Sequence, residues 1–284
     1  MKIKHVLAAA VTLLGTGYLY SIAPNKDRSR RKRLLPFEVV KIAHRGLFDN
    51  QCEYPENSLA SFKRAMDYGF GIELDVRLTK DGVPVVFHDE DLERVCGVKK
   101  KIAECTYDEI SSYTLFHSKE HIPRLNRVLE LVNGKVPLII EIKAEYDVLE
   151  ICRKTMYQLY QYPGYYCIES FSPFVLSWFE KHEPNVLRGQ LAMDFFKEEA
   201  QINKPFVVKF AAKNLMTNFI SHPDFISYDL DGTDSIPMIL ERKFHEAKTA
   251  AWGIHCEEDM KIAEEFFDII IFDGFIPKET EVEM

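Results

Sequence analysis

Two histidines, His44 and His88, bracket a set of carboxylates and cations of the types that phosphodiester hydrolysis uses. His44-Arg45-Gly46, Glu73-Leu74-Asp75 and His88-Asp89 fall within fewer than fifty residues, and each sits where an apolar run ends. The runs are Val39-Val40-Lys41-Ile42-Ala43, Phe70-Gly71-Ile72 and Val85-Val86-Phe87. Glu141 and Lys143 close a fourth, Val136-Pro137-Leu138-Ile139-Ile140. A phosphodiester already carries one negative charge, and attack at phosphorus adds another. A cation held by Glu73, Asp75 and Glu141, together with Arg45 and Lys143, would neutralise that charge. Three carboxylates without a cysteine suit Mg²⁺ or Ca²⁺ rather than zinc. The imidazoles titrate near neutral pH, so His44 and His88 are assigned general acid and base, in either order. Gly46 is read as leaving room for substrate to approach the backbone.

Lesser candidates surround this set. Trp252 lies in the apolar run 250–254 and His255 follows it at a strand end, and both are read as possible substrate walls. Asn57 reads as a helix cap, and Glu56 as a brace for the Arg45 loop. His5, His117, His121, His182, His222 and His245 lie in linker, turn or helical settings and read as structural.

Such groups act together only if strands aim them at one place. Parallel-strand candidates end near Ala43, Asp75, Lys143, Ser170, Gln190, Asp229, Ile254 and Phe272, with amphipathic helical stretches between most of them. Leu59, Phe62 and Met66 line one helix face after an Asn57-Ser58 cap, with Gly69 as the stop. Leu125, Val128, Leu129 and Val132 repeat the pattern before Gly134. Eight such units predict an α/β fold, a TIM (β/α)8 barrel. No glycine-rich first turn of dinucleotide type supports the open-sheet alternative.

Between Asp75 and His88 there is no room for a crossover helix. Lys80-Asp81-Gly82 therefore predicts a short antiparallel hairpin after strand 2, pairing residues 74–78 with 83–87. With Asp81-Gly82 as the central pair, Asp75 faces His88; a one-residue shift puts Glu73 there instead.

The chain has 284 residues, 46% of them hydrophobic, and no Gly/Ser-rich break, so residues 37–284 are expected to form one large domain. Eight Lys/Arg and one Asp fall in residues 1–35, leaving 28 basic against 43 acidic residues beyond. That balance excludes a nucleic-acid groove, which needs a basic surface. The uncharged stretch 6–23 is just long enough for a membrane span, so residues 1–24 are read as an uncleaved transmembrane helix. Residues 25–36 are read as a basic linker, solvated or drawn to anionic lipid. The excess of cations after the stretch predicts a cell-membrane, single-pass protein with its catalytic domain in the cytoplasm. Six cysteines without a C-x-x-C pair read as reduced thiols.

Taken together, Ala43-His44-Arg45-Gly46, Pro55-Glu56-Asn57-Ser58, Glu73-Leu74-Asp75-Val76, Lys80-Asp81-Gly82, His88-Asp89 and Ile140-Glu141-Ile142-Lys143 resemble the glycerophosphodiester phosphodiesterase family, one of the phospholipase-C-like barrels. The likeness extends through Ser170-Phe171-Ser172, Trp252 and the 267–273 segment. It implies hydrolysis of glycerophosphodiesters to glycerol 3-phosphate and an alcohol, with Ca²⁺ or Mg²⁺. By motif position it places catalysis on His44 and His88, metal binding on Glu73, Asp75 and Glu141, and phosphate contacts on Arg45 and Lys143. A lysophospholipase D-type activity on membrane lysolipids is the enzymatic rival, and a non-catalytic tethered binding module the other. Departures from the family pattern are Ser58 and Arg124 for threonine, His255 for asparagine, and Asp273-Gly274-Phe275 in the last strand.

Overall fold

The computed structural model describes residues 2–144, 147–197 and 204–278, the first ten of them by backbone alone. Eight parallel strands close into a barrel: β1 (Ile42–Ala43), β2 (Gly71–Leu78), β4 (Leu138–Ile142), β5 (Tyr166–Ser170), β6 (Leu187–Ala192), β7 (Phe225–Asp229), β8 (Lys248–Ile254) and β9 (Ile269–Phe272). Closure comes from β1, which pairs with β9 on one side and β2 on the other. A short β3 (Pro84–Val86) runs antiparallel along the end of β2. Crossovers include the helices Leu59–Asp67, Leu125–Val132, Val148–Leu159, Pro173–His182 and Glu257–Phe266. Ser58 caps the first of these in a reciprocal capping box with Ser61, and Gly69 ends it at a positive φ.

Side-chain alternation along the strands divides the core in two. Outward residues such as Ile72, Leu74, Val76, Ile140, Ile142 and Ile168 pack against the helices. Inward, Ile42, Ile139, Cys167, Leu187, Phe225, Ala250, Ile269 and Ile271 fill the barrel. Gly189 belongs to this inner layer because a Cβ there would meet the Phe225 ring at 2.2 Å. Leu34 and Phe37 close the floor from below, so the active end must be the opposite one.

The basic segment is built into that floor. Arg28–Leu34 forms a 3-10 helix. Arg30 grips both oxygens of buried Asp224 at 2.6 and 2.9 Å and donates to the carbonyls of Pro184 and Val186. Arg31 donates to the carbonyls of His245 and Glu246, and Arg33 to that of Asn185. All six cysteines are free.

Two expectations are overturned. Among the described residues no helix is long and apolar enough to cross a membrane, which corrects the single-pass anchor over residues 1–24 and the membrane location and orientation drawn from it. The helix Lys2–Ile22 instead turns its last residues onto the barrel. Ile22 is fully buried, Tyr18 and Leu19 pack on the core, and Tyr18 Oη donates to the Asn214 carbonyl. Asn218 Nδ2 donates to the Ile22 carbonyl, and His245 Nε2 to that of Leu19. A span needs roughly 20 apolar residues; here protein contacts take up the final turn and a half. The side chains of residues 1–11 lie outside the described residues.

The hairpin forms, but in neither expected register. Val76 pairs with Val86, Arg77 with Val85 and Leu78 with Pro84, which sets Asp75 beside Phe87. The reason is the turn. Gly82 adopts φ +71° and joins Lys80 and Asp81 in a three-residue loop, closed by the Thr79 N–H on the Val83 carbonyl at 3.1 Å. Thr79 Oγ1 accepts from Val83 N and donates to Asp81 Oδ1, fixing that loop. His88 therefore reaches the mouth from beyond the end of β3.

The floor generates a stability test. Arg30→Ala strands a carboxylate inside the protein and is expected to cost about 3 kcal/mol in urea unfolding. A loss below about 1 kcal/mol would show that Arg30 does not pin the floor.

Candidate active site

Strand parity and register gather the carboxylates. Glu73 and Asp75 share the inward face of β2, and Asp75 lies in register with Glu141 on β4. All three are buried, and one oxygen from each lies within 4.8 Å of the others. Burial and the neighbouring Asp75 push the Glu73 carboxyl well above the usual carboxylate range. Burial also opposes the Asp75 charge, yet Lys143, His88 and Arg45 hold that group well below its ordinary value. Lys143 Nζ lies 3.0 Å from Asp75 and 2.7 Å from Glu141.

Each imidazole is braced at Nδ1 by an aspartate. His44, immediately after β1, is 2.5 Å from Asp273 Oδ1, and its Nε2 is 3.6 Å from Glu73. Facing a carboxylate, Nδ1 carries a proton. Burial disfavours charge on this ring, but Asp273 and Glu73 outweigh it and raise His44 to about 9. His88 Nδ1 is 2.7 Å from Asp89 Oδ1. Here burial and Lys143 prevail over Asp75 and Asp89, and the ring is lowered to about 4. Near neutral pH one ring thus holds a proton to give and the other has a lone pair to receive one.

Arg45 occupies a left-handed conformation, φ +55°, which turns its backbone N–H onto Glu73 at 3.0 Å while its side chain reaches Glu56 at 2.9 Å. Strain of this kind in a non-glycine residue clusters at functional sites. Gly46 has a packing reason that differs from the expected one: a Cβ there would meet Ser61 Oγ at 2.5 Å, so the absent side chain admits the following helix, not substrate. Asn57 is not the helix cap that the sequence suggests. It is buried, at φ +57°, and donates to Asp75 Oδ2 at 2.8 Å, while Ser58 serves as the cap. Trp252 lines the β8 wall, with its ring edge-on to Phe171 at 6.1 Å. His255 is 70% exposed on the rim, its Nδ1 3.7 Å from Asp273.

Three participants escaped the sequence reading. Asp273 stood only as a departure in the last strand, although the polar end of an apolar strand was the signal that exposed the others. Glu169 is inward on β5, in register with Glu141, and raised to about 8 by burial and by that neighbour; the alternation Cys167, Glu169 could have revealed it. Arg94 has no local signal. It lies in the Glu93–Cys96 helix and forks onto Asp89 at 2.6 Å and Glu56 at 2.6 Å, tying the brace of His88 to that of Arg45.

The donor set fits a hard divalent cation. All three ligand candidates are carboxylates, and Glu73 Oε1 is buried without a hydrogen-bond partner.

The profile of the glycerophosphoryl diester phosphodiesterase family matches residues 44–266. Among curated relatives, a glycerophosphodiester phosphodiesterase of Bacillus altitudinis is 35% identical over 164 residues, 54% of this chain and 66% of that protein. One of Caldanaerobacter subterraneus is 38% identical over 165 residues, covering 54% and 67%. The chain thus spans about two thirds of the length of these relatives. Among solved structures, an Oleispira antarctica phosphodiesterase in complex with sn-glycerol-3-phosphate superposes with a TM-score of 0.66 at 22% identity, over 90% of this chain and 95% of that one. The glycerophosphodiester phosphodiesterase of Thermotoga maritima gives 0.63 at 24% identity, over 83% and 95%. These likenesses show the shared barrel.

Glu73→Gln removes one candidate anionic ligand while keeping its shape. Calorimetric titration with Mg²⁺ or Ca²⁺ is expected to show affinity reduced by at least tenfold; an unchanged titration would remove Glu73 from the ligand set.

Proposed function

The chain belongs to the glycerophosphoryl diester phosphodiesterase family, and from that membership we propose that it hydrolyses glycerophosphodiesters to glycerol 3-phosphate and an alcohol by histidine acid-base catalysis. The observation that carries this reading is the pair of aspartate-braced imidazoles, oppositely shifted in proton affinity, beside three buried carboxylates. Glycerol 3-phosphate as product also agrees with the ligand held by the Oleispira antarctica neighbour.

Glu73, Asp75 and Glu141 would hold Mg²⁺ or Ca²⁺, which supplies Lewis-acid stabilisation of phosphoryl charge when bound. The remaining work falls to the chain. Arg45 and Lys143 lie against the same carboxylates and are preorganised to face an incoming phosphoryl group, so little reorganisation is needed as charge develops. His88, neutral, takes the proton of the attacking nucleophile. His44, protonated, gives the Nε2 proton to the departing alkoxide as the phosphorus–oxygen bond breaks. Asp273 and Asp89 fix each ring so that Nε2, not Nδ1, faces the reaction.

Purified protein is expected to release glycerol 3-phosphate from glycerophosphocholine or glycerophosphoglycerol, with chelator abolishing turnover. No product from either substrate under Mg²⁺, Ca²⁺ or Mn²⁺ would refute the reading. His44→Ala and His88→Ala should each lower kcat by roughly 10²–10⁴-fold with little change in melting temperature. Activity requires His44 charged, so it falls on the alkaline side as that ring loses its proton. Asp273→Asn removes the carboxylate that raises His44 and should move the alkaline limb to lower pH by roughly 1–2 units. An alkaline limb that stays in place would assign it to another group.

A further inference from the structure

Between β3 and the helix Leu125–Val132 the chain leaves the barrel and builds an arm with a core of its own. Phe87, Leu92, Val95, Ile102, Ile110 and Leu115 bury one another in a cluster separate from both barrel layers. His88 and Asp89 open that arm, whereas Arg45 and Glu56 belong to the stretch that follows β1. A base carried by the arm and a phosphate-facing cation carried by the barrel act together only if the two hold register. A misplacement of about 1 Å can cost roughly 10²-fold in rate.

Arg94, in the arm, spans the two with one planar group. Its Nε and Nη2 donate to the two oxygens of Asp89 at 2.6 and 3.0 Å. Its Nη2 and Nη1 donate to the two oxygens of Glu56, again at 2.6 and 3.0 Å. Asp89 in turn holds His88 Nδ1 at 2.7 Å. Glu56 accepts from Arg45 Nη1 at 2.9 Å, and Arg45 Nε lies 3.6 Å from Asp75. Asn50 Nδ2 donates to Glu56 at 2.9 Å and fixes that carboxylate from a third side. The guanidinium itself lies over the Phe116 ring, 5.5 Å from its centre, which sets its plane. A fork that grips two carboxylates by both oxygens suits placement, because bidentate pairs fix direction as well as distance. A lysine ammonium, a point charge without a fork, could not divide itself in this way.

We propose that Arg94 is a positioning residue for the reaction, which sets the His88 ring and the Arg45 side chain relative to each other by clamping Asp89 and Glu56 together. The inference rests on the phosphodiesterase reading above and concerns that same site. Arg94 touches neither the carboxylate cluster nor an imidazole; it acts through the two acids that do the bracing. Disturbing one brace is therefore felt at the other, and the coupling exists only while the guanidinium is there to carry it.

The test is a mutant cycle on the full chain, read as kcat/KM on glycerophosphocholine with Mg²⁺. Asp89→Asn and Glu56→Gln are made singly and together, first with Arg94 in place and then in the Arg94→Ala background. With Arg94 present the two changes are expected to couple by at least about threefold, and in Arg94→Ala to act independently. Arg94→Ala alone should lower kcat/KM by about tenfold or more, and Arg94→Lys, which keeps the charge, should not restore it. Independent effects with Arg94 in place, a coupling that survives Arg94→Ala, or full rescue by lysine would overturn the proposal. A lower melting temperature with kcat/KM unchanged would make Arg94 a stabiliser of the arm alone and overturn it too. Spectra of ¹⁵N-histidine-labelled protein keep the catalytic reading apart: the His88 ring signal, identified by its loss in His88→Ala, is expected to shift in Arg94→Ala. If that signal shifts in a protein that hydrolyses no substrate, the phosphodiesterase reading falls and the placement of the ring by Arg94 stands. A signal that does not move overturns the placement in either case.

Discussion

Several carboxylates held out of water within one barrel are the constraint to which the rest of the site answers. Glu73, Asp75 and Glu141 are nearly inaccessible, with Glu169 in the neighbouring register. Buried like charges repel and lack hydration, so each must be neutralised, paired or protonated. Lys143 sits between Asp75 and Glu141, the Arg45 backbone N–H meets Glu73, and Asn57 meets Asp75. Glu169 answers by a raised proton affinity. A site so loaded with negative charge is costly to bury, and its carboxylates are close enough together to hold a cation.

The same field separates the two histidines. His44 lies on the side of Asp273 and Glu73 and is driven towards its charged form; burial, and then the facing Lys143, drive His88 towards its neutral form. Chemically identical rings acquire opposite proton affinities from position alone. Arg94 adds mechanical coupling, because one guanidinium spans the carboxylates that brace His88 and Arg45.

Much of this was legible in the chain. Continuous apolar runs gave the strands, and polar residues at their ends gave the site, since a strand buried on both faces places its charge at its mouth. Glu73 and Asp75 followed from that rule, as did Glu141 and Lys143. The rule failed where local pattern underdetermines geometry. Gly82 decided between a two-residue and a three-residue turn, and with it the partner of Asp75. The stretch 6–23 matched a membrane span in composition, yet its end is claimed by packing against Asn214, Asn218 and His245.

By itself, then, the amino-acid order determined the barrel, its hairpin and the types of group at the mouth, because alternation and turn residues act over a few positions. Tertiary structure alone decided that Asp273, 229 residues from His44, would hold that ring, and that Arg94 would join two braces. Those pairings depend on how the cylinder closes, and closure brings together groups whose separation along the chain carries no trace of their contact.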